Sequence, residues 1–239
     1  MLAIYLREMR SYFTTSIGYI FLASSLVVSA IIFSVTTVLA STADASVYFA
    51  GLLFVLMLFL PVLTMKSFSE EKRSKTEQLL LTSPISTTEM VLAKFFSALS
   101  MLIIFLALSC TFLIPLNVYV AEGSQGPNTA LVIGNLMALL LVGMCFIAIG
   151  IFVSSLTENQ FAAIVITIVI LLALLLINLF NAFIGSYTIR SILNWLSIYA
   201  RYEAFTYGIF DIGALIYYLS ITGVFLFLTV RVFEARKYN

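Results

Sequence analysis

Long apolar runs dominate this chain, and one dense polar stretch interrupts them. The runs cover roughly residues 17–40, 47–65, 90–120, 129–156, 160–184 and 212–233. A helix needs about 20 predominantly apolar residues to cross a bilayer. The pattern therefore predicts six transmembrane helices. The third and fourth runs exceed that length, so they tilt or extend past the hydrocarbon. Pro115 is placed to kink or end the third.

Two further elements follow from finer patterning. In residues 2–13, Leu2, Tyr5, Leu6, Met9, Tyr12 and Phe13 recur at helical spacing, with Arg7 and Arg10 on another face. That suits an amphipathic helix lying in the membrane interface. The plainer alternative is a frayed, snorkelling start to the first span. Residues 185–208 mix Tyr187, Trp195, Tyr199, Tyr202 and Tyr207 with Ile192, Leu193, Leu196 and Ile198. Trp and Tyr favour the membrane–water boundary. One or two short helices in the outer leaflet are expected before the sixth span, with Trp195, Tyr199 and Tyr202 as anchors. An ordinary loop with an aromatic anchor is the alternative.

Composition excludes a soluble core: 62% of the 239 residues are hydrophobic and 10% charged, and mean hydropathy is +1.14. Soluble domains carry about 25% charged residues. The net charge of +1 leaves no nucleic-acid footprint. Histidine is absent, which removes the commonest zinc ligand and general base. Cys110 and Cys145 fall in apolar runs and read as buried small hydrophobes. Arg7 and Arg10 ahead of the first run superficially suggest a signal peptide. The run exceeds an h-region of about 7–15 residues, so a retained helix is expected. With six spans both ends share a side. That side holds Arg7, Arg10, Lys66, Lys72, Arg73, Lys75, Lys94, Arg231, Arg236 and Lys237; the other holds Arg190 and Arg201. The bias makes both termini and the polar stretch cytoplasmic in a multi-pass cell-membrane protein.

The polar stretch, residues 69–86, and its flanks carry their own helix signals. Ser67-Phe68-Ser69-Glu70 fits a capping box. Glu71 and Lys75 stand four apart in the favourable order. A short cytoplasmic helix is predicted over 69–81, polar first and ending in Leu79-Leu80-Leu81, with Pro84 beyond it. Ser86-Thr87-Thr88-Glu89 is a second capping box, opening the third span. Composition alone leaves two readings: a docking element, or a solvated connector with good caps.

The run from Glu70 through Ser86, followed by Lys94, resembles the signature loop of ABC-2 type permeases, the membrane subunits of one class of ABC transporters. The resemblance extends over nearly the whole chain, including the 154–160 turn and the 202–211 segment before the last span. It is most similar to the gliding-motility-associated branch. Lys75-Thr76 and Gln78 depart from the Gly-Thr and Glu that many relatives carry. The resemblance implies an all-α membrane fold forming a single domain over 1–239, with the 69–81 helix as a coupling helix. Glu70, Glu71, Lys72, Arg73 and Glu77 would make polar contacts to a cytoplasmic ATPase subunit, and Leu79, Leu80 and Leu81 would seat the helix. Arg7 and Arg10 would flank that dock on the interfacial helix. The implied partners are the ATPase, a second permease copy or paralogue, the bilayer, and an auxiliary membrane protein with a large outer domain.

No G-x-x-x-x-G-K-[ST] motif occurs, so ATP and Mg belong to the partner and no cofactor is expected on this chain. Asn117, Asn135, Asn178 and Asn181, with Ser24, Ser25, Ser29, Ser34, Thr36 and Thr37, are read first as hydrogen-bonding groups between helices. Gly134, Gly143 and Gly150 are read as sites of close helix approach. Asp211 is placed to cap the last span. No ionisable residue falls at mid-membrane, which argues against a proton-coupled carrier. Three functions remain to compare: an ATP-driven exporter subunit; an intramembrane enzyme, for which no nucleophile–base pair is found; and a membrane scaffold without transport.

Overall fold

The computed structural model describes residues 1–39, 45–74, 86–114, 129–180 and 187–238. Every regular element among them is helical. Helix α1 (Leu2–Thr14) stops at extended Thr15, and α2 (Ser16–Phe33) runs on into a π-helical turn at Ser34–Leu39. Next come α3 (Ser46–Thr64), α4 (Lys66–Arg73), α5 (Thr87–Ser109, extended by a 3-10 turn at Cys110–Leu113) and α6 (Thr129–Leu156). After the 157–159 turn follow α7 (Gln160–Phe180), α8 (Tyr187–Leu196), α9 (Ile198–Thr206) and α10 (Ile212–Tyr238). Six helical stretches are long and apolar enough to cross a membrane: 16–37, 46–73, 87–113, 129–156, 160–177 and 212–237. The expected all-α membrane architecture is observed, with two short helices before the last span. Pro115, Asn117 and Asn181 lie outside the described residues.

Helix α6 is the axis of the bundle. In its most apolar window 72% of residues are buried, against 22% for α7. Its glycines permit this. A Cβ at Gly150 would stand 2.2 Å from Thr64 Oγ1 on α3, and one at Gly143 would stand 2.4 Å from Leu102 on α5. Both spans therefore approach closer than any side chain at those positions allows, the device small residues serve between membrane helices. Around this axis a single apolar core runs through α3, α5, α6 and α10, with Tyr48, Phe105, Phe146, Tyr218 and Phe233 fully buried.

The hydroxyls of the first span behave otherwise than expected. Ser25 donates to Phe21 O (2.6 Å), Ser29 to Ser25 O (2.7 Å), Ser34 to Ala30 O (2.9 Å) and Thr36 to Ile32 O (2.8 Å). Each satisfies itself one turn back on its own helix, an option open to any Ser or Thr in an apolar medium. These residues do not bridge helices through those bonds.

Opposite ends of α6 organise opposite ends of the molecule. Near its start, buried Asn135 accepts a hydrogen bond from Tyr202 Oη of α9 (2.9 Å). Near its finish, Ser154 and Ser155 meet α4 and α10. Asp211 Oδ1 accepts from Gly213 N–H (2.8 Å), so the expected cap of α10 is present.

Candidate functional site

The chain gathers charge at the Ser154 end of the bundle. The expected capping box at Ser67–Glu70 does not form. Helix α4 starts at Lys66, three residues before the predicted 69, after a one-residue interruption at Met65, and Glu70 pairs with Lys66 instead (3.2 Å). The cap comes from another span. Ser154 Oγ accepts from Phe68 N–H and Ser69 N–H, each at 3.1 Å, and donates to Met65 O at 2.9 Å. A hydroxyl inserted at a helix break takes up amides that would otherwise be orphaned. The second capping box is as expected: Ser86 Oγ accepts from Glu89 N–H at 3.3 Å.

Helix α4 carries Glu71 inward to a buried lysine. Lys94 sits two turns into α5 and is 2% exposed. An ammonium has three protons, and three acceptors meet this one: Ser67 O at 2.5 Å, Glu71 Oε1 at 2.9 Å and Glu8 Oε1 at 3.3 Å. The Phe68 ring lies 4.8 Å from the same nitrogen. Arg7 closes the circuit, 2.7 Å from Glu8 Oε1 and 3.1 Å from Glu71 Oε1. Two cations and two carboxylates thus form a neutral quartet across α1, α4 and α5. Burial is tolerable only with such pairing.

The electrostatics agree with the geometry. Burial pushes the Glu8 carboxyl up, yet the Lys94 and Arg7 charges and hydrogen bonds outweigh it, and the net shift is downward. Burial likewise opposes the charge on Arg7, but Glu8 and Glu71 together hold its pKa above the usual value. Tyr12, buried beside the quartet, has its hydroxyl pushed up by burial and then by Glu8. A cleft of about 300 Å³ opens onto the quartet between α1 and α4, with Lys66 and Glu70 at its wall.

Neighbouring contacts tie the same end together. Lys72 reaches Glu158 of the 157–159 turn (3.3 Å), Arg236 donates to Ser155 O (2.8 Å), and the Phe68 and Phe233 rings lie 4.5 Å apart. Of the residues expected to form a dock, Glu70 and Lys72 are half-buried and Arg73 is exposed, all on α4. Glu71 faces the quartet rather than solvent. Lys75, Glu77, Leu79, Leu80 and Leu81 lie outside the described residues, and so does most of the expected 69–81 helix. On α1, Arg7 joins the quartet and Arg10 is exposed. The inward face of α1 is Ile4, Glu8 and Tyr12, while Leu2, Leu6 and Phe13 point outward. Glu8 and Ser154 were not singled out by the sequence reading as members of any site.

At the opposite end the aromatic segment divides. Trp195 and Tyr199 are exposed. Tyr202 is 1% exposed and bonded to Asn135. It fastens α9 to α6 within the protein. The side chains of Tyr187, Ile192 and Leu196 are outside the described set.

The sequence profile of the ABC-2 family transporter proteins matches residues 61–238. The match takes in α4, Lys94, Ser154 and Arg236; Arg7 and Glu8 precede it. Among curated proteins no sequence matches the chain. A six-span bundle whose matched region holds the polar stretch and both of its buried partners, Lys94 and Ser154, belongs to the ABC-2 family transporter proteins, the membrane-spanning subunits of ABC transporters.

Proposed function

We propose that α4 and the segment after it dock a separate cytoplasmic ATPase subunit, and that ATP-driven closure of two such subunits moves the spans for export. The family implies an ABC ATPase partner; this docking assignment, the exporter direction and the pairing with a second permease copy or paralogue are our reading. Both termini are cytoplasmic on this reading, and the lipid-facing α1 edge of Leu2, Leu6 and Phe13 lies in the inner interface. A companion membrane protein with a large outer domain fits the gliding-type resemblance.

The observation that carries the proposal is the buried quartet. An exposed polar helix with no task beyond connecting two spans needs no buried lysine to hold it. Here α4 is fixed from beneath by Lys94 and Ser154, while Arg73 is exposed and the half-exposed Glu70, paired with Lys66, stays at the surface. A rigid element with an accessible polar face is what a rigid-body switch requires at its input.

The test uses the outward residues alone, since altering Glu71 would disturb the fold. Glu70→Lys with Arg73→Glu in the tagged chain, purified from its native membrane, is expected to lose a co-purifying P-loop ATPase while the membrane protein inserts normally. Retention of the ATPase would refute the dock. Absence of any ATPase from the parent complex would favour the scaffold reading.

A further inference from the structure

Arg201, at the end of the bundle away from the quartet, is a cation with no counter-charge among the described residues. It lies on α9 and is half-buried. Its Nε–H is buried and finds no acceptor among the described residues. No ion pair engages it among the described residues. What holds it is aromatic: the guanidinium carbon stands 4.2 Å from the Tyr217 ring centre and 5.9 Å from that of Trp195. The two rings meet edge to face at 6.0 Å, forming a clamp around one side of the cation. Aromatic faces attract a guanidinium, but they do not replace the water and anion that burial removes. Every other half-buried or buried cation at the quartet end has its carboxylate or carbonyl.

We infer that Arg201 binds the phosphate of an anionic phospholipid in the leaflet at this end of the bundle. The guanidinium fork matches two phosphate oxygens at once. The surroundings are those of a headgroup boundary. Trp195 is 64% exposed, and Trp and Tyr collect at the membrane–water boundary. Ile209, Phe210, Ile212 and Ile216 present exposed apolar surface where α10 begins, which suits acyl chains beside the phosphate. A carboxylate on a protein partner would neutralise the charge equally, but it would leave that apolar rim unexplained. The inference does not depend on the ATPase dock.

Trp195 is the only tryptophan, so the clamp contains its own probe. The full chain is placed in phosphatidylcholine nanodiscs with a minor fraction of brominated lipid, either phosphatidylglycerol or phosphatidylcholine. Bromine quenches the indole on contact. The expected result is preferential quenching by the anionic lipid, corresponding to about fivefold local enrichment for one basic residue near the surface. Arg201→Gln should bring the two lipids to equal quenching, and Arg201→Lys should keep part of the excess. Equal quenching in the parent protein would overturn the inference and leave the counter-charge to a protein partner. So would an excess that survives Arg201→Gln. Soluble glycerol phosphate that abolishes the excess would assign the phosphate to a soluble ligand and overturn the lipid source. If Arg201→Gln fails to insert, the parent protein's salt dependence decides: the excess must shrink with added salt.

Discussion

Replacing Lys94 by methionine keeps most of the side-chain volume and removes the charge. Glu8 and Glu71 each lose their buried cation, and Arg7, about half exposed, is left to serve both carboxylates. Breaking a buried pair by deleting one partner costs about 3–5 kcal/mol. Two features reduce that here. The two carboxylate side chains are 16% exposed, so some water reaches them, and Arg7 remains within 3.1 Å of both. About 2–3 kcal/mol is therefore expected, by the same reasoning on uncompensated buried charge. For a chain of this size about 1 kcal/mol moves the unfolding temperature by roughly 2–4 °C, so the shift is roughly 5–10 °C downward. Cys145 is buried at 0% exposure and Cys110 only half-buried, so in a Cys110→Ser background a thiol-reactive dye reports unfolding of the purified protein, compared at one scan rate because membrane-protein unfolding is commonly irreversible. Adding Glu71→Gln to Lys94→Met should recover stability, because Arg7 and Glu8 then remain as one balanced pair and no charge is left unpaired. A shift of less than about 1 °C for Lys94→Met would refute the reasoning. Losses that simply add when Glu71→Gln is introduced would do the same, since contacting groups must couple.

Other outcomes follow from the same geometry. Glu8 has its folded-state pKa lowered from 4.5, so its contribution is present above that pH and lost as pH falls through the lowered value. Acid unfolding curves should show this loss, and Glu8→Gln should remove that part of the pH dependence. Ser154→Ala strips the cap from Phe68 and Ser69 amides inside the protein and should cost about 1–3 kcal/mol in the same thermal assay; Ser154→Thr, which keeps the hydroxyl, separates this from packing. Gly150→Ala puts a methyl against Thr64 and should destabilise by about 1–3 kcal/mol, measurable as a lower yield of monodisperse protein and a lower unfolding temperature. Tyr202→Phe leaves Asn135 Oδ1 without its donor and should cost about 1–2 kcal/mol, with faster amide exchange in α9 as the local readout.

Six spans were legible because hydrocarbon thickness sets a length that sequence either meets or does not. Their arrangement was not. Helices α6 and α7 are equally apolar, yet one is the axis and the other faces outward, with 72% and 22% of the window buried. Lipid and protein interior select the same residues, so apolarity cannot rank spans by depth in the bundle. Glycines were a better guide, and Gly143 and Gly150 lie at the tight crossings they suggested. On α1 the amphipathic face read from the larger hydrophobes was rotated from the true inward stripe. Ile4, Glu8 and Tyr12 recur every four residues, but a carboxylate in that stripe looks like a defect until its partner 86 residues away is known. Lys94 offered a signal of its own: a lone charge two turns inside an apolar run, costly unless paired. The Ser67 cap failed because α4 begins at a helix break beside another span, and a hydroxyl from that span reached the amides first.

The position of that break bears on how α4 could act as an input. Its first turn is held by Ser154, its inner face by Lys94, and its aromatic contact by Phe233, so α6, α5 and α10 each grip it at a different point. Displacing α4 alone would uncap two amides and separate a buried ammonium from its carboxylate, each a cost of kcal/mol size. Displacing α4 together with α1 and the near ends of α5, α6 and α10 breaks none of these bonds. On the proposed docking, a push from the ATPase therefore goes into moving the grouped helix ends rather than into local rearrangement.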